Sequence, residues 1–218
     1  MVEFKVEKHY LPPTALIPNS SKPLLHYKNI IPDQSQRDHP EVINDLFDSN
    51  GWNTRWIIRY GATQPSHFHS GIHECMAVLS GTATIRFGVA DTDEDLEKST
   101  WGNAREAGGV EIEARAGDAF LVPAGVSHKT HNTSPAQPFA LLTPGLDKEK
   151  DKHGALAGIE LTGFTMIGSY PNDGGTLDSQ RGGTFDASYL RQVWNTANPG
   201  MDPLLGDSIQ GLVGQWQH

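Results

Sequence analysis

A histidine pair near the middle of the chain constrains the fold more than any other feature. The stretch 61–81 begins and ends with glycine and contains His67, His69 and Glu74. Residues two apart on an extended strand point to the same face, so His67 and His69 can direct both imidazoles at one point. The bend at Ser70-Gly71 lets the next strand bring Glu74 to that point. Two imidazoles and a carboxylate are a common ligand set for a divalent first-row metal.

A second stretch, 117–132, supplies a fourth candidate ligand. Gly117-Asp118 is typical of a turn, and the apolar run 119–122 is typical of a short strand. Pro123-Ala124-Gly125 predicts a second turn, which places His128 just inside the following strand. His128 therefore completes the predicted ligand set.

These two stretches resemble the paired motifs of the cupin superfamily. The first motif corresponds to Gly61, His67, His69, Glu74 and Gly81, at the family's spacing. The second corresponds to Gly117, Pro123, Gly125, His128 and Asn132. The resemblance implies an all-β fold, the double-stranded β-helix or jelly-roll barrel, with N- and C-terminal extensions. It also implies that the metal ligands are His67, His69, Glu74 and His128.

A narrower resemblance, to the single-domain YjlB-like cupins, covers more of the chain. It rests on Pro18-Asn19-Ser20, on His69-Ser70 with His73-Glu74, and on the segment 168–172, Gly-Ser-Tyr-Pro-Asn. This resemblance sharpens the expected fold and leaves the reaction open.

Short segments with a period of two recur along the chain and predict about ten strands. The segments 74–79 and 82–87 flank Ser80-Gly81, which predicts a hairpin. One or two short helices are expected, the clearest over 39–47. Its apolar residues Val42, Ile43, Leu46 and Phe47 are expected to share one face.

Three regions are predicted from these patterns. Residues 1–50 form an N-terminal arm with a strand and a short helix, and residues 51–172 form the barrel with its metal site. Residues 173–218 form an extension that either packs on the barrel or crosses to a second subunit. The strand-like N-terminus and this long tail predict a homodimer.

Composition and charge exclude several classes of partner. The chain has 26 acidic and 17 basic residues, a formal net charge of −9, which disfavours nucleic acid. No segment resembles a signal peptide or approaches the length of a membrane span, so a cytoplasmic protein with no membrane partner is expected. The only cysteine, Cys75, excludes an intramolecular disulfide. Its apolar strand favours a buried side chain over a reactive thiol.

The ligand set allows several functions. The leading hypothesis is a metal-dependent oxidoreductase of dioxygenase type, acting on a small organic acid or an enolic or phenolic compound chelated to the metal. Iron or manganese is favoured for that chemistry, whereas zinc or nickel would suit a Lewis-acid isomerase or lyase. A non-catalytic cupin that binds a small molecule is the third hypothesis.

His73 is the one candidate catalytic residue outside the ligand set. As the neighbour of Glu74 it could be a fifth ligand, an acid–base group or a partner of a ligand. Strand alternation points it away from Glu74, which favours a supporting or structural role. His131 is out of phase with His128 and is expected to face outward. Surface or packing roles are expected for the histidines outside the motifs: His9, His26 and His39.

Overall fold

Two antiparallel sheets form the body of the protein. The computed structural model describes residues 4–217. Within them lie ten strands: β1 (Lys5–His9), β2 (Leu24–Lys28), β3 (Trp52–Arg59), β4 (Glu74–Ser80), β5 (Thr82–Phe87), β6 (Val110–Arg115), β7 (Ala119–Val122), β8 (His128–Ser134), β9 (Ala140–Leu141) and β10 (Thr165–Pro171). The strand order is β1-β2-β7-β4-β10-β3-β9 in the larger sheet and β6-β5-β8 in the smaller. The predicted all-β jelly-roll class is confirmed.

The larger sheet buries both of its faces. On β4, Met76 and Val78 pack into a core between the two sheets, together with Ile85 of β5. The alternate residues Cys75 and Ala77 pack into a second core on the outer face, which helices and the C-terminal extension cover. Continuous apolar strands such as β4 are therefore explained by burial on both sides. Cys75 is fully buried, as predicted.

The predicted hairpin between β4 and β5 is wrong. β4 pairs with β7 and β10, whereas β5 pairs with β6 and β8. The turn at Gly81 therefore carries the chain from one sheet to the other. Gly81 has a φ of 73°, and an added Cβ would lie 2.6 Å from the carbonyl oxygens of Gly163 and Ser134. The residues encode the turn, but not the partners of the strands on either side.

Helices are more numerous than predicted. The described residues contain α1 (Gln34–Arg37), α2 (Pro40–Ser49), α3 (Leu96–Thr100), α4 (Lys152–Leu156), α5 (Ala187–Trp194), α6 (Leu212–Gln215) and a 3-10 helix (Leu146–Lys148). Most are single turns, and a helical period cannot be read from so few residues. Their clearest signal is an aspartate that accepts hydrogen bonds from the first amides, as Asp95 and Asp186 do. No helix in the described part of the chain has the length and apolar character needed to cross a bilayer.

Helix α2 is the predicted helix, but its buried face is narrower than expected. Ile43 and Phe47 are buried in the outer core. Val42 and Leu46, predicted to share that face, remain 48% and 40% exposed. The apolar stripe on α2 is wider than the part of the outer core that the helix contacts. Only the edge of the stripe that carries Ile43 and Phe47 is therefore buried.

The C-terminal extension packs on the barrel of its own chain. Trp216 is buried in the outer core, and its Nε1 donates to the carbonyl oxygen of Pro23 at 2.9 Å. Asp202 is fully buried and accepts a hydrogen bond from the hydroxyl of Tyr27 on β2 at 2.5 Å. These contacts attach the extension to the N-terminal strands.

Gly168 on β10 is a position that does not tolerate a side chain. It lies opposite Trp56 of β3, and an added Cβ would overlap the indole ring. We expect Gly168→Ala to lower the free energy of unfolding by about 1–3 kcal/mol, because overpacking forces neighbouring atoms to move. Gly200→Ala is the matched control, since no described atom lies within 4 Å of an added Cβ there. Urea denaturation curves that coincide for the two variants would contradict this account.

Candidate metal centre

Three imidazoles meet where β8 begins. The backbones of His67 and His128 form an antiparallel bridge, with N–O distances of 3.2 and 2.8 Å. Their ring centroids are 4.3 Å apart, and the ring of His69 lies 5.6 Å from His67 and 5.9 Å from His128. One ring nitrogen from each of the three lies within 4.8 Å of the others. This spacing allows one ion to contact all three.

Glu74, the first residue of β4, brings a carboxylate to the same point. It lies on the strand face that points between the sheets, in phase with Met76. Its Oε1 is 3.5 Å from Nε2 of His69, and its Oε2 is 3.3 Å from Nε2 of His128. The structure therefore brings together all four residues that the motifs predict as ligands.

The orientation of His69 is held by the main chain. Its Nδ1 is hydrogen-bonded to the carbonyl oxygen of Asp178. A carbonyl oxygen only accepts, so Nδ1 carries the proton and donates it. In the neutral ring Nε2 is then unprotonated and faces the cluster, which is the arrangement typical of a metal-ligating histidine.

Tyr170 of β10 is a site residue that the sequence analysis did not identify. Its hydroxyl donates to Oε1 of Glu74 and accepts a hydrogen bond from Nε1 of Trp56 at 3.1 Å. The pairing of Ser169 with Cys75 places Tyr170 beside Glu74. Tyr170 lies in the segment 168–172 that resembles the YjlB-like cupins, but its role depends on β10 lying next to β4, which local sequence does not encode.

Burial and mutual charge set the protonation of the cluster. Burial, and next the charge of His128, lower the pKa of His67 to about 3, and burial also lowers the pKa of His128. Burial opposes a charged His69, but the Glu74 carboxylate and the hydrogen bond to Asp178 together outweigh it and raise the pKa of His69. Burial likewise opposes an ionised Glu74, but the two neighbouring histidines outweigh it and lower the pKa of Glu74 to about 2. At neutral pH the cluster presents neutral rings at His67 and His128 and an ionised carboxylate.

These residues fit a divalent transition metal. Oε2 of Glu74 is buried and makes no hydrogen bond within residues 4–217. A buried carboxylate oxygen without a partner is costly, and a bound cation would remove that cost. Three imidazoles and one carboxylate suit iron, manganese, nickel or zinc, and the donor set does not choose among them.

His73 points away from this cluster. Its Nδ1 accepts a hydrogen bond from the amide of Ala124 at 3.0 Å, so its Nε2 carries the proton and donates to the carbonyl oxygen of Ala197 at 3.1 Å. Its ring packs on Trp216 with centroids 4.8 Å apart. Both nitrogens are engaged by the main chain, so neither is free to bind a metal or transfer a proton. His73 joins the turn before β8 to the C-terminal extension.

His131 points away from the cluster, as its strand phase predicts, but it is buried rather than exposed. It is 3% exposed, and its Nε2 lies 3.7 Å from Oε1 of Glu111. The loop before α3 covers this face of β8, where Lys129 contacts both carboxylate oxygens of Asp91 at 3.0 Å. The sequence did not reveal this covering layer, because the acidic run 91–97 is typical of a solvated loop.

Residues 176–181, here called the strap, run alongside the His67–His69 segment. Phe68 and Gln180 exchange two main-chain hydrogen bonds of 2.9 Å. The carboxylate of Asp178 accepts from the amide and from the hydroxyl of Ser70, both at 2.7 Å. The strap therefore supplies the carbonyl oxygen that orients His69, and it covers this side of the cluster.

We expect Asp178→Ala to loosen the strap. The substitution removes two charge-assisted hydrogen bonds to Ser70, and such bonds contribute about 1.5–3 kcal/mol each. Amide hydrogen exchange at Phe68 and Gln180 should accelerate, because both amides are protected by the strap. The exposed Asp173→Ala is the matched control. Equal exchange in the two variants would show that the Asp178 side chain does not hold the strap.

Comparisons with known proteins agree with the fold and with the position of the motifs. The profile of the family described as Cupin matches residues 40–157, more than half of the chain. The uncharacterized protein YjlB of Bacillus subtilis strain 168 is 26% identical over 208 residues, which cover 94% of this chain and 93% of that protein.

Solved structures give more distant matches. Procruciferin, an 11S globulin from Brassica napus, is 13% identical with a TM-score of 0.32, and the match covers 60% of this chain and 23% of that one. Oxalate decarboxylase OxdC from Bacillus subtilis is 15% identical with a TM-score of 0.31, and the match covers 73% of this chain and 28% of that one. The chain thus spans only about a quarter of the length of these two solved chains.

Proposed function

Since this chain belongs to the cupin family, we propose that it is a metal-dependent oxidoreductase of dioxygenase type. One divalent transition metal, iron or manganese, is held by His67, His69, Glu74 and His128. The substrate is a small organic acid, or an enolic or phenolic compound, with two oxygens placed for chelation.

A buried carboxylate oxygen without a hydrogen-bond partner carries this proposal. Oε2 of Glu74 belongs to a group whose pKa is lowered to about 2, so it is ionised at neutral pH. Around it stand ring nitrogens of histidines whose pKa is lowered, so they offer lone pairs rather than protons. An ionised carboxylate beside the lone pairs of two neutral imidazoles is suited to a cation.

The surrounding residues prepare the ligands. The carbonyl oxygen of Asp178 fixes the tautomer of His69, and the hydroxyl of Tyr170 occupies Oε1 of Glu74. Tyr170 thereby leaves Oε2 free to face the ion. A bound iron or manganese would supply redox chemistry and about two open positions for substrate and oxygen. The apolar core between the sheets, including Met76 and Phe120, limits water beside the cluster.

Metal content and oxygen uptake test the proposal. Protein purified without a metal-affinity tag should carry about one iron or manganese ion per chain. The His67→Ala/His128→Ala double variant should lose it. Oxygen consumption should then depend on one member of a panel of hydroxy acids, enediols and catechols, and should be absent in the double variant.

Two other outcomes would replace this proposal. Turnover without oxygen uptake by a zinc- or nickel-loaded protein would indicate a Lewis-acid isomerase or lyase. Small-molecule binding that persists unchanged after the metal is removed would indicate a non-catalytic binding protein.

We also propose that the protein acts as a homodimer in the cytoplasm, without nucleic acid or membrane partners. β1 and β9 are the two edges of the larger sheet, and an unpaired edge can join a second copy. Near β9, Phe139 is 60% and Leu141 is 45% exposed. Light scattering should give twice the chain mass of 23.8 kDa. A single chain mass at micromolar concentration would contradict the dimer.

A further inference from the structure

A second group of metal-ligating side chains lies on the first two strands. Glu7 and His9 are two residues apart on β1, and the antiparallel register places Glu7 directly opposite His26 of β2. The three side chains therefore share one face of the sheet. One ligand atom from each lies within 4.8 Å of the others.

His26 is buried with both ring nitrogens unpaired. It is 1% exposed, and neither nitrogen makes a hydrogen bond to any described residue. Its ring stacks on Phe120 with centroids 4.5 Å apart and planes 13° apart, which holds its orientation. Nδ1 lies 3.9 Å from Oε2 of Glu7, and Nε2 lies 3.3 Å from Oδ2 of Asp118. Nε2 of His9 is also buried and without a partner in this part of the chain.

A cavity of about 480 Å³ opens beside this group, between the edge formed by β1 and β2 and the edge strand β6. Its charged lining consists of four acids and two bases: Glu7, Glu111, Glu113, Asp118, Lys28 and Arg115. The negative balance favours a cation over an anion.

We propose that Glu7, His9 and His26 form a second binding site for a divalent transition metal such as zinc. Two imidazoles and one carboxylate are suitable ligands for zinc and cobalt, and three protein ligands leave a position open toward the cavity. Oδ2 of Asp118 lies 3.3 Å from Nε2 of His26, so its negative charge adds to that of Glu7 beside the site. An ion here would join the edge strand β1 to β2.

Two lysines pair with the carboxylate of Glu7. Nζ of Lys5 lies 2.8 Å from Oε1, and Nζ of Lys28 lies 3.0 Å from Oε2. The side chains of Lys5 and Lys28 are 72% and 47% exposed, so both can move into water when a cation arrives. Lys28→Met should therefore strengthen metal binding several-fold, because it removes a competing charge without removing a ligand.

Cobalt titration tests the second site, because Co²⁺ replaces zinc and gives visible absorption. In the His67→Ala/His128→Ala background the chain should still bind about one ion. Adding His9→Gln or Glu7→Gln should weaken that binding by about 10–100-fold or more. His153→Gln is the matched control, since this half-exposed histidine pairs only with Asp45, at 2.8 Å, among the described residues. The wild-type chain should reach about two ions.

Three results would overturn the second site: no cobalt binding in the double variant, binding that His9→Gln leaves unchanged, or weaker binding in Lys28→Met. Thermal unfolding of each variant shows whether the chain is folded. If the double variant does not fold, the number of cobalt ions bound is compared between the wild-type chain and His9→Gln made in the wild-type background. His9→Gln should lower that number from about two to about one per chain. The outcome is independent of the first centre's reaction.

Discussion

Replacing Glu74 with glutamine is expected to abolish metal retention at the first centre. The amide has the size of the carboxylate and can keep a hydrogen bond with Tyr170, but it removes the only negative charge among the four candidate ligands. Metal affinity should fall by more than about 100-fold, beyond the 10–100-fold that loss of an outer partner costs. Elemental analysis after dialysis against a weak chelator measures the retained metal.

Two further variants should lose less metal than Glu74→Gln does. Tyr170→Phe keeps the carboxylate and removes only the hydroxyl that holds Oε1, so its loss should be smaller, about tenfold. Glu94→Gln changes an exposed acid that lies outside the motif stretches 61–81 and 117–132, and it should retain metal fully. If Glu74→Gln retained metal as well as Glu94→Gln does, the carboxylate would not be a ligand.

The first candidate centre could be predicted in part because each ligand stretch has a local geometry, whereas the meeting of His128 with His67 was expected from the resemblance to the paired cupin motifs. A His-x-His pair on extended backbone shares one face, and a turn before His128 fixes where that strand begins. Period-2 alternation also placed His73 away from Glu74. These inferences need only the conformation of a few consecutive residues, which the sequence encodes directly.

Strand pairing was the part that the sequence did not encode. Tyr170 reaches Glu74 because β10 lies beside β4, although 96 residues separate the two side chains. His26 meets Glu7 because β1 pairs with β2, so a packing role was the natural expectation for an isolated histidine. The wrong hairpin between β4 and β5 has the same origin. Neighbouring strands are selected by burial of the whole sheet, which depends on distant residues.

Coverage by short helices and loops was equally hard to predict. Single-turn helices such as α3 carry too few residues for a helical period, so the layer over His131 and Lys129 had no visible pattern. The only local signal for helix α3 is its capping residue, Asp95. Asp95 lies inside the acidic run 91–97, which is typical of a solvated loop.

Lowering the pH from 6.5 to about 4.5 is expected to remove about 2 kcal/mol of folding free energy through His73 alone. Its two hydrogen bonds require the neutral ring, because Nδ1 must accept from the amide of Ala124. Burial, and next the charge of Lys22, lower the pKa of His73 from 6.5 to about 3. Below pH 6.5 His73 therefore binds a proton in the unfolded chain but stays neutral in the folded chain. The stabilisation is complete above pH 6.5 and declines as the pH falls toward 3.

His73→Gln isolates this contribution. Glutamine can donate and accept but has no proton to gain, so the variant should be less stable at neutral pH and less sensitive to acid. Its unfolding free energy should fall less steeply than that of wild type, by about 1.4 kcal/mol per pH unit below 6.5. Both proteins are measured without metal, so that other buried histidines contribute equally and cancel. Equal slopes for His73→Gln and wild type would mean that the folded chain accepts a proton at His73, and the link between the turn before β8 and the C-terminal extension would then not depend on a neutral ring.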